Sequence, residues 1–221
     1  MTLFRNETCN ISGLNITMPY KIQVYNTLKN HDALSEKIKS TNCIKNLNNK
    51  LVGYNTDYYG FTKMFTNINI NQNDILVLGN GGLAQTVVHS LLDNTENKIY
   101  VWGRNNNNLN KFINIFNSKR VQCYSQNIKT SVIINCLPIN MIECDIDSII
   151  DKVLPEKLEL FIDLNYIETL FTQKLSNKNY NVIFGLDMFI FQALKSFDIW
   201  FDNKYHDKIT HEEIKNLLSN E

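Results

Sequence analysis

The sequence contains few arginines, few prolines and glycines, and no closely spaced cysteine pair. Of its 221 residues, 3 are arginine and 3 are proline, whereas 34 are asparagine, 26 isoleucine and 19 lysine. We interpret this skew as drift in genomic base composition, so a single asparagine or lysine carries little information and a rare arginine or glycine carries more. The 22 basic and 22 acidic side chains cancel, which gives no electrostatic reason to expect a nucleic-acid or membrane partner.

The cysteines and histidines are dispersed along the chain. The five cysteines include no C-x-x-C pair, and no histidine lies at a usual ligand spacing from a cysteine or a carboxylate. We therefore expect neither a disulfide framework nor a metal site. Residues 1–10 lack an apolar core of signal-peptide length, and no apolar run is long enough to span a membrane. These absences favour a cytoplasmic protein, or an organellar one if the true start lies upstream of Met1.

From residue 75 onward, short apolar runs alternate with helical patterns. The stretches between the runs predict helices over about 84–92 and 111–116. The runs predict strands over 75–78, 99–102, 131–134, 158–164 and 181–184. This alternation is typical of βαβ units. It predicts an α/β fold whose main part is a Rossmann-like, doubly wound parallel sheet.

Further elements are predicted on both sides of this block. They are a strand over 14–17, a helix over about 19–29, a helix over 185–200 and a last helix from about 210. Thr210 and Glu213 fit a capping box at the start of the last helix. The asparagine-rich stretch at 105–108 is interpreted as a surface loop.

A glycine-rich motif follows the strand predicted over 75–78. Residues 79–84 read G-N-G-G-L-A and fit G-x-G-x-x-A. Small residues permit a tight turn and close approach of the backbone to a pyrophosphate, and the helix N-terminus offers free N–H groups. In this context the motif favours dinucleotide binding over a glycine turn without a ligand. The expected cofactor-binding residues here are Gly79, Gly81, Gly82 and Ala84.

The end of the next predicted strand indicates which dinucleotide is bound. NAD enzymes usually carry Asp or Glu there, about 20 residues past the glycines, to bind the ribose 2′-hydroxyl. Here residues 102–105 read W-G-R-N, without a carboxylate. The guanidinium of Arg104 suits a 2′-phosphate, so we expect NADP as the cofactor. The alternative is an ordinary surface arginine.

Together with the glycine loop, four further motifs resemble those of shikimate dehydrogenases, in the same order along the chain. They are N-I-T-M-P-Y-K at 15–21, T-N-C at 41–43, G-Y-N-T-D at 53–57, and G-L-D-M at 185–188 with Gln192. They resemble that family's N-V-T-x-P-x-K, V-N-T, G-x-N-T-D and G-x-x-M-x-x-x-Q. The match runs from about residue 13 to residue 201, so it is far more specific than any one motif.

The resemblance implies a reversible, NADP-linked reduction of 3-dehydroshikimate to shikimate in aromatic amino-acid biosynthesis, the chorismate pathway. Hydride transfer to a ketone leaves a developing alkoxide, which needs a proton from a positioned acid. The resemblance implies Lys21 as this acid and Asp57 as the residue that orients it. Taken singly, Lys21 fits a solvated surface lysine and Asp57 fits a helix cap.

The resemblance also implies neutral side chains that orient a polyhydroxylated acid. The expected substrate-binding residues are Thr17, Asn42, Tyr166 and Gln192, where Tyr166 closes a D-L-N-Y segment that resembles the family's D-x-x-Y. Asn135 and Gly185 complete the expected cofactor site. The only partner that we expect is the small-molecule substrate, and the protein is expected to be a monomer or a homodimer.

The chain departs from the family pattern in three places. No S-x-S pair precedes residue 15, where the family has a strand–helix unit that grips the substrate carboxylate. Residues 135–140 read N-C-L-P-I-N in place of N-A-T-S-x-G, and the stretch after Tyr166 is shorter. The first departure implies a start upstream of Met1 or an incomplete substrate lobe, and a missing strand exposes an edge of the small sheet.

These observations leave three hypotheses. The leading one is an NADP-dependent shikimate dehydrogenase with a substrate lobe at 1–57 and 185–221 and a nucleotide lobe at 58–184, which close on each other around a cleft. The second is a truncated or decayed, non-catalytic relative that binds NADP or a metabolite. The third is a dehydrogenase of quinate or another cyclic hydroxy acid, since fold and motif do not fix the ligand.

Overall fold

Two β-sheets with flanking helices make up the described part of the chain. The structure is a computed structural model that describes residues 11–66, 68, 70, 74–139, 148–149, 152–155, 157–206 and 208–219. The smaller sheet consists of β1 (Gly13–Asn15), β2 (Asn30–His31), β3 (Cys43–Leu47) and β4 (Lys50–Tyr54), in the order β1-β3-β4-β2. Strand β3 is antiparallel to both neighbours, whereas β2 and β4 are parallel. The accompanying helices are α1 (Lys21–Thr27), α2 (Ala33–Ile38) and α3 (Thr56–Phe65).

The larger sheet is parallel throughout. It consists of β5 (Ile75–Leu78), β6 (Ile99–Trp102), β7 (Val121–Cys123), β8 (Val132–Asn135), β9 (Leu160–Asp163) and β10 (Val182–Phe184). The strands lie in the order β10-β9-β8-β5-β6-β7. Strands β6 and β7 are added on one side of β5, and β8, β9 and β10 on the other, as in a doubly wound fold. The helices that follow in chain order are α4 (Gly82–Asn94), α5 (Asn106–Asn114), α6 (Leu170–Ser176), α7 (Leu186–Trp200) and α8 (His211–Ser219). None of these described helices is long and apolar enough to cross a membrane.

The larger sheet has an apolar core on each face, because alternate side chains of a strand point in opposite directions. Ile75 and Val77 of β5 join the core that includes side chains of α3 and α4. Leu76 and Leu78 join the opposite core, which includes Phe171 of α6. Every residue of β5 is therefore buried, as expected for a parallel strand covered on both faces.

The predicted fold class and the strands of the larger sheet are confirmed. Strands β5 and β6 have the predicted bounds, and β8, β9 and β10 differ from the predicted ranges by one or two residues at their ends. Strand β7, which has only three residues, was not predicted. Short apolar segments of this length carry too little periodicity to be recognised.

The hairpin formed by β3 and β4 was also missed. Asn48 and Asn49 connect the two strands and have φ angles of 51° and 65°. Two consecutive left-handed residues form the tight turn that matches the twist of a hairpin, and asparagine tolerates this conformation. In a chain with 34 asparagines, the N-N pair does not stand out.

The prediction of a loop at 105–108 is wrong. Asn105 is the N-cap of α5, and its side-chain oxygen accepts a hydrogen bond from the backbone N–H of Asn108 at 3.1 Å. The next three asparagines form the first turn of that helix. Asparagine is a favoured N-cap, so the same composition that indicated low complexity also starts a helix.

The rare Arg120 has a structural function. Its guanidinium lies beyond the C-terminus of α4 and donates hydrogen bonds to the carbonyl oxygens of Leu92 at 3.2 Å and Asn97 at 3.1 Å, and to that of Thr95. The last carbonyl groups of a helix lack intrahelical partners and carry partial negative charge. Arg120 therefore stabilises the end of α4, the helix that begins at the glycine loop.

His89 on α4 is a buried histidine without a hydrogen-bond partner for Nε2 among the described residues. Its ring packs against that of Phe116 with a centroid distance of 4.9 Å, and the residue is 8% exposed. Burial, and secondarily the positive charge of Lys37, lower the pKa of His89 to about 4, whereas Asp93 acts in the opposite direction. The folded protein therefore favours the neutral ring.

We predict that protonation of His89 contributes to acid destabilisation. A histidine with a depressed pKa binds fewer protons in the folded than in the unfolded state, where its pKa is near 6.5. Its contribution to stability is therefore complete above pH 6.5 and is lost as the pH falls toward 4, by up to about 3 kcal/mol. The free energy of unfolding, measured by urea denaturation, should fall less steeply between pH 6.5 and pH 4 in His89→Leu and in His89→Gln than in the wild type. A slope equal to that of the wild type in both variants would contradict the prediction.

Candidate active site

A cleft of about 600 Å³ lies between the two sheets, at the carboxyl ends of β5, β8 and β9. This is the position at which open α/β sheets bind ligands. It brings together every predicted catalytic and substrate-binding residue, namely Thr17, Lys21, Asn42, Asp57, Tyr166 and Gln192. It also contains five of the predicted cofactor residues, namely Gly79, Gly81, Gly82, Asn135 and Gly185.

Lys21 and Asp57, which both line the cleft, form an ion pair. Nζ of Lys21 donates to Oδ2 of Asp57 at 2.7 Å, and the two side chains are 15% and 7% exposed. Lys21 is the first residue of α1, where an ammonium group is disfavoured by the positive end of the helix dipole. The position therefore does not serve the stability of α1, and the ion pair provides the reason for a lysine there.

Asp57 is not the cap of α3. The N-cap is Asn55, whose Oδ1 accepts a hydrogen bond from the backbone N–H of Tyr58 at 3.1 Å. The capping interpretation of Asp57 is therefore wrong, because the carboxylate points to other partners. Asp57 lies in the first turn of α3, where the helix dipole stabilises a negative charge.

The amide of Asn42 fixes the other oxygen of Asp57. Its Nδ2 donates to Oδ1 of Asp57 at 3.0 Å and to Oγ1 of Thr56 at 2.9 Å, while its Oδ1 accepts from the backbone N–H of Thr56 at 2.6 Å. That last bond settles the orientation of the amide, because only the oxygen can accept from an N–H group. Both carboxylate oxygens of Asp57 thus have a donor.

Gln192 on α7 closes this group of polar side chains. Its Oε1 lies 3.4 Å from Nδ2 of Asn42, and its Nε2 donates to the carbonyl oxygen of Phe189 at 3.0 Å. Phe189 also contacts the ring of Tyr166, with centroids 4.8 Å apart. Both rings are about half exposed, so they form an aromatic rim at the opening of the cleft.

The glycine loop forms the cofactor side of the cleft. Gly79 has a φ of +107°, which L-residues with side chains rarely adopt, and its N–H donates to the carbonyl oxygen of Trp102 at 2.8 Å. A Cβ on Gly81 would meet open space. Helix α4 begins without a side-chain cap and without an acidic residue in its first turn. Its first N–H groups are therefore available to an anion such as a pyrophosphate.

Two of the predicted cofactor residues lie outside the cleft lining. Ala84 is buried in the first turn of α4, among the apolar residues of the core. Arg104 is exposed and follows β6 by two residues. The adjacent Gly103 lies against the side chain of Asn80 in the glycine loop, so Arg104 stands beside that loop.

Asp163 and Asn165 complete a polar network that the sequence analysis did not assign. Oδ1 of Asp163 accepts from Nδ2 of Asn135 at 3.0 Å and from Nδ2 of Asn165 at 2.8 Å. Nδ2 of Asn165 also donates to the carbonyl oxygen of Leu137, and the backbone N–H of Leu137 donates to Oδ1 of Asn135. The network ties the loop after β8 to the loop after β9, and three of its residues line the cleft. The D-L-N-Y segment of the sequence contains both Asp163 and Asn165, and it is the sequence feature from which their role could have been predicted.

Burial is the main influence on the pKa values of Asp163 and Cys136, which lie in and beside this network. Asp163 is fully buried, and burial raises its pKa although hydrogen bonds from Asn165 and Asn135 act to lower it. Burial also raises the pKa of the Cys136 thiol, and the nearby Asp163 adds to this effect. Cys136 is therefore a neutral group in the cleft, not a thiolate. Among the described residues, no three His, Cys, Asp or Glu side chains lie close enough to hold a metal ion.

Comparisons with known proteins give a consistent result. No protein-family model matches the chain. A protein named shikimate dehydrogenase (NADP(+)) from Clostridium beijerinckii is 36% identical over 206 residues, which are 90% of this chain and 76% of that protein. The crystal structure of shikimate dehydrogenase 1 from Peptoclostridium difficile aligns with a TM-score of 0.79 at 29% identity, over 94% of this chain and 78% of that one.

A third relative extends the comparison to a fusion protein. The crystal structure of a chorismate mutase/shikimate 5-dehydrogenase fusion protein from Clostridium acetobutylicum aligns with a TM-score of 0.76 at 34% identity. The alignment covers 95% of this chain and 78% of that one. Sequence identity and fold agree over nearly the whole chain, and the chain belongs to the shikimate dehydrogenase family.

Proposed function

We propose that the chain is an NADP-dependent shikimate dehydrogenase, an oxidoreductase that interconverts 3-dehydroshikimate and shikimate. The observation that carries the proposal is the ion pair between Lys21 and Asp57, in a cleft that the glycine loop also lines. The names of the relatives supply the substrate and the cofactor. A non-catalytic binding protein is not favoured, because a nearly buried ion pair without a task costs desolvation energy.

The ion pair provides the proton chemistry of this reaction. When bound, NADP supplies the hydride acceptor for oxidation and, in its reduced form, the hydride donor for reduction. During reduction, the ammonium of Lys21 donates a proton to the developing alkoxide oxygen, and during oxidation the amine takes the hydroxyl proton back. Asp57 holds Nζ of Lys21 at 2.7 Å, and Asn42 holds Asp57. The acid is thus oriented before the substrate arrives.

Neutral side chains around the ion pair are proposed to orient the substrate. Thr17, Asn42, Tyr166 and Gln192 line the same cleft as the ion pair. Hydroxyl and amide groups suit a ring that carries several hydroxyls and one carboxylate, because each substrate oxygen needs a partner when it leaves water.

The cofactor site is proposed to begin at the glycine loop and to end at Arg104. Gly81 and Gly82 offer backbone N–H groups to the pyrophosphate, while Gly79 forms the tight turn with its positive φ. Asn135 and Gly185 line the part of the cleft next to the sheet. Ala84 serves the site indirectly, since its small side chain lets α4 pack closely on the core. Arg104 is the proposed partner of the 2′-phosphate.

The lobe division is proposed as the sequence suggests it, with residues 1–57 and 185–221 on the substrate side and 58–184 on the nucleotide side. Closure of the lobes excludes water from the ion pair and the reacting carbon. Tyr166 and Phe189, which form the exposed rim, are the side chains that such a closure covers first.

The direct test is NADPH formation by the purified chain, followed by absorbance, with shikimate and NADP. Parallel reactions contain quinate in place of shikimate and NAD in place of NADP. We expect the highest kcat/KM with shikimate and NADP. Preference for quinate would show a different cyclic hydroxy-acid dehydrogenase. No turnover, with NADP binding still measurable by calorimetry, would show a binding protein.

Lys21→Ala should lower kcat by about 10²-fold or more, as expected when a positioned acid is lost. NADP binding measured by calorimetry should persist, because the ammonium contacts the carboxylate of Asp57 and not the glycine loop. Lys29→Ala, at an exposed lysine shortly after α1, is the matched control and should keep full turnover. Unchanged turnover in Lys21→Ala would remove Lys21 from the mechanism.

Arg104→Ala should weaken NADP binding by about 1–3 kcal/mol, the usual contribution of a hydrogen bond to a charged group. NAD lacks the 2′-phosphate, so its binding should change little. Both affinities are measured by calorimetry, and Lys111→Ala, an exposed lysine on α5, controls for general loss of positive charge. Equal losses for the two cofactors would mean that Arg104 does not contact the 2′-phosphate.

A further inference from the structure

A chain of buried hydrogen bonds connects the start of α3 to the glycine loop. Nδ2 of Asn55 donates to Oγ1 of Thr86 on α4 at 3.1 Å, and Oγ1 of Thr86 donates to the carbonyl oxygen of Gly82 at 3.0 Å. Asn55 is 3% exposed and Thr86 is fully buried. A hydroxyl group accepts one bond and donates the next, so these contacts form one continuous relay from the α3 cap to the first residue of α4.

The same amide group holds the segment that carries Asn42. Nδ2 of Asn55 also donates to the carbonyl oxygen of Ser40 at 2.9 Å. In that segment, the N–H of Thr41 donates to the carbonyl oxygen of Lys21 at 3.1 Å. Asn55 therefore has polar links toward both members of the ion pair, through Ser40 to Lys21 and through its own cap to the helix of Asp57.

Gly82 lies in direct contact with the other end of this arrangement. A Cβ placed on Gly82 would lie 3.0 Å from Oγ of Ser40 and 3.2 Å from Cβ of Lys21. The first residue of α4 is thus packed against the residue that carries the proposed acid. The glycine at this position serves the approach between the two halves of the site, in addition to any approach to a pyrophosphate.

We propose that Asn55 and Thr86 are positioning residues that set the distance between the glycine loop and the Lys21–Asp57 pair. This inference rests on the proposed function, because it concerns the alignment of the hydride-transferring cofactor with the proton donor. Neither residue lines the cleft, so neither contacts the reacting groups. Their effect passes through Gly82 on one side and through Ser40 and the α3 cap on the other.

The relay gives a function to the hydroxyl group of Thr86, which lies on the side of α4 that meets the start of α3. The neighbours Val87, Val88 and Leu91 belong to the apolar core. A threonine that bonds to the carbonyl four residues earlier gives no net gain to a helix by itself. Its hydroxyl gains a function when it also receives the amide of Asn55, since the two bonds then fix α4 relative to α3.

The test compares the steady-state kinetics of three variants of the full chain, with the shikimate and NADP concentrations varied in turn up to saturation. Thr86→Val keeps the shape of the side chain and removes the hydroxyl, Thr86→Ser keeps the hydroxyl, and Thr62→Val is the control. Thr62 shares a hydrogen bond of 2.7 Å with Ser90, which also joins α3 to α4 but is not part of the relay. The control thus removes a hydroxyl from the same helix interface.

We expect Thr86→Val to lower kcat about tenfold or more, since misplacement of reacting groups by 1 Å can cost 10²-fold. Both KM values should stay within about threefold, because the groups that bind the ligands are unchanged. The deuterium isotope effect on kcat, measured with shikimate labelled at the carbon that loses hydride, should increase. The kcat of Thr86→Ser and that of Thr62→Val should each lie within about twofold of the wild-type value.

Several outcomes would overturn the positioning role. These are full kcat in Thr86→Val, an equal loss in Thr62→Val, or no recovery in Thr86→Ser. If Thr86→Val does not fold, as judged by its thermal unfolding transition, Asn55→Ser replaces it, because serine keeps the cap of α3 and lacks the amide donor. An inactive wild type would instead refute the proposed function, so the two failures are distinguishable.

Discussion

The close packing of α3 between α4 and α7 is the constraint on which the rest of the molecule depends. Phe61 and Met64 of α3 share one apolar core with Val88 of α4 and Met188 of α7. The hydroxyl of Thr56 also bonds to that of Ser196 on α7 at 2.9 Å. Since α3 follows the smaller sheet and α4 follows the first strand of the larger one, this packing holds the two sheets at a defined separation.

The polar residues at the start of α3 can be buried because they satisfy one another. Asn55 caps the helix, Thr56 receives the amide of Asn42, and Asp57 receives both Lys21 and Asn42. A buried polar group without a partner is costly, and a network in which every member is paired is rigid. The geometry of the ion pair is therefore determined by a network of fixed amide and hydroxyl groups around it.

Much of the fold was predictable from local patterns. The strands at 75–78 and 99–102 are short apolar runs with clear boundaries, and the glycine motif lies where a strand meets a helix. The β3–β4 hairpin and the start of α5 were not predictable, because asparagine is so frequent in this chain that its turn-forming and capping positions carry little contrast.

The candidate site was predictable only as a set of residues. Motif resemblance selected Lys21, Asp57 and Gln192 as members of one site, and the structure places them in one cleft. Asp163 and Asn165 were not predicted as site residues, although both belong to the D-L-N-Y segment that identified Tyr166. Their function depends on contacts with Asn135, which lies on a different strand, and no local pattern describes such a contact.

The sequence by itself determined the fold class and the glycine loop, since these follow from periodicity and spacing. Its resemblance to the family's motifs supplied the expected residues of the hydride-transfer site. Only the tertiary structure decided that Asn55 caps α3 while Asp57 pairs with Lys21, and that Asn55 reaches Thr86. The physical reason is that many groups along the chain could form a hydrogen bond with a given side-chain amide or carboxylate, and the sequence does not distinguish among them. Packing of distant segments selects which of them come within hydrogen-bond distance.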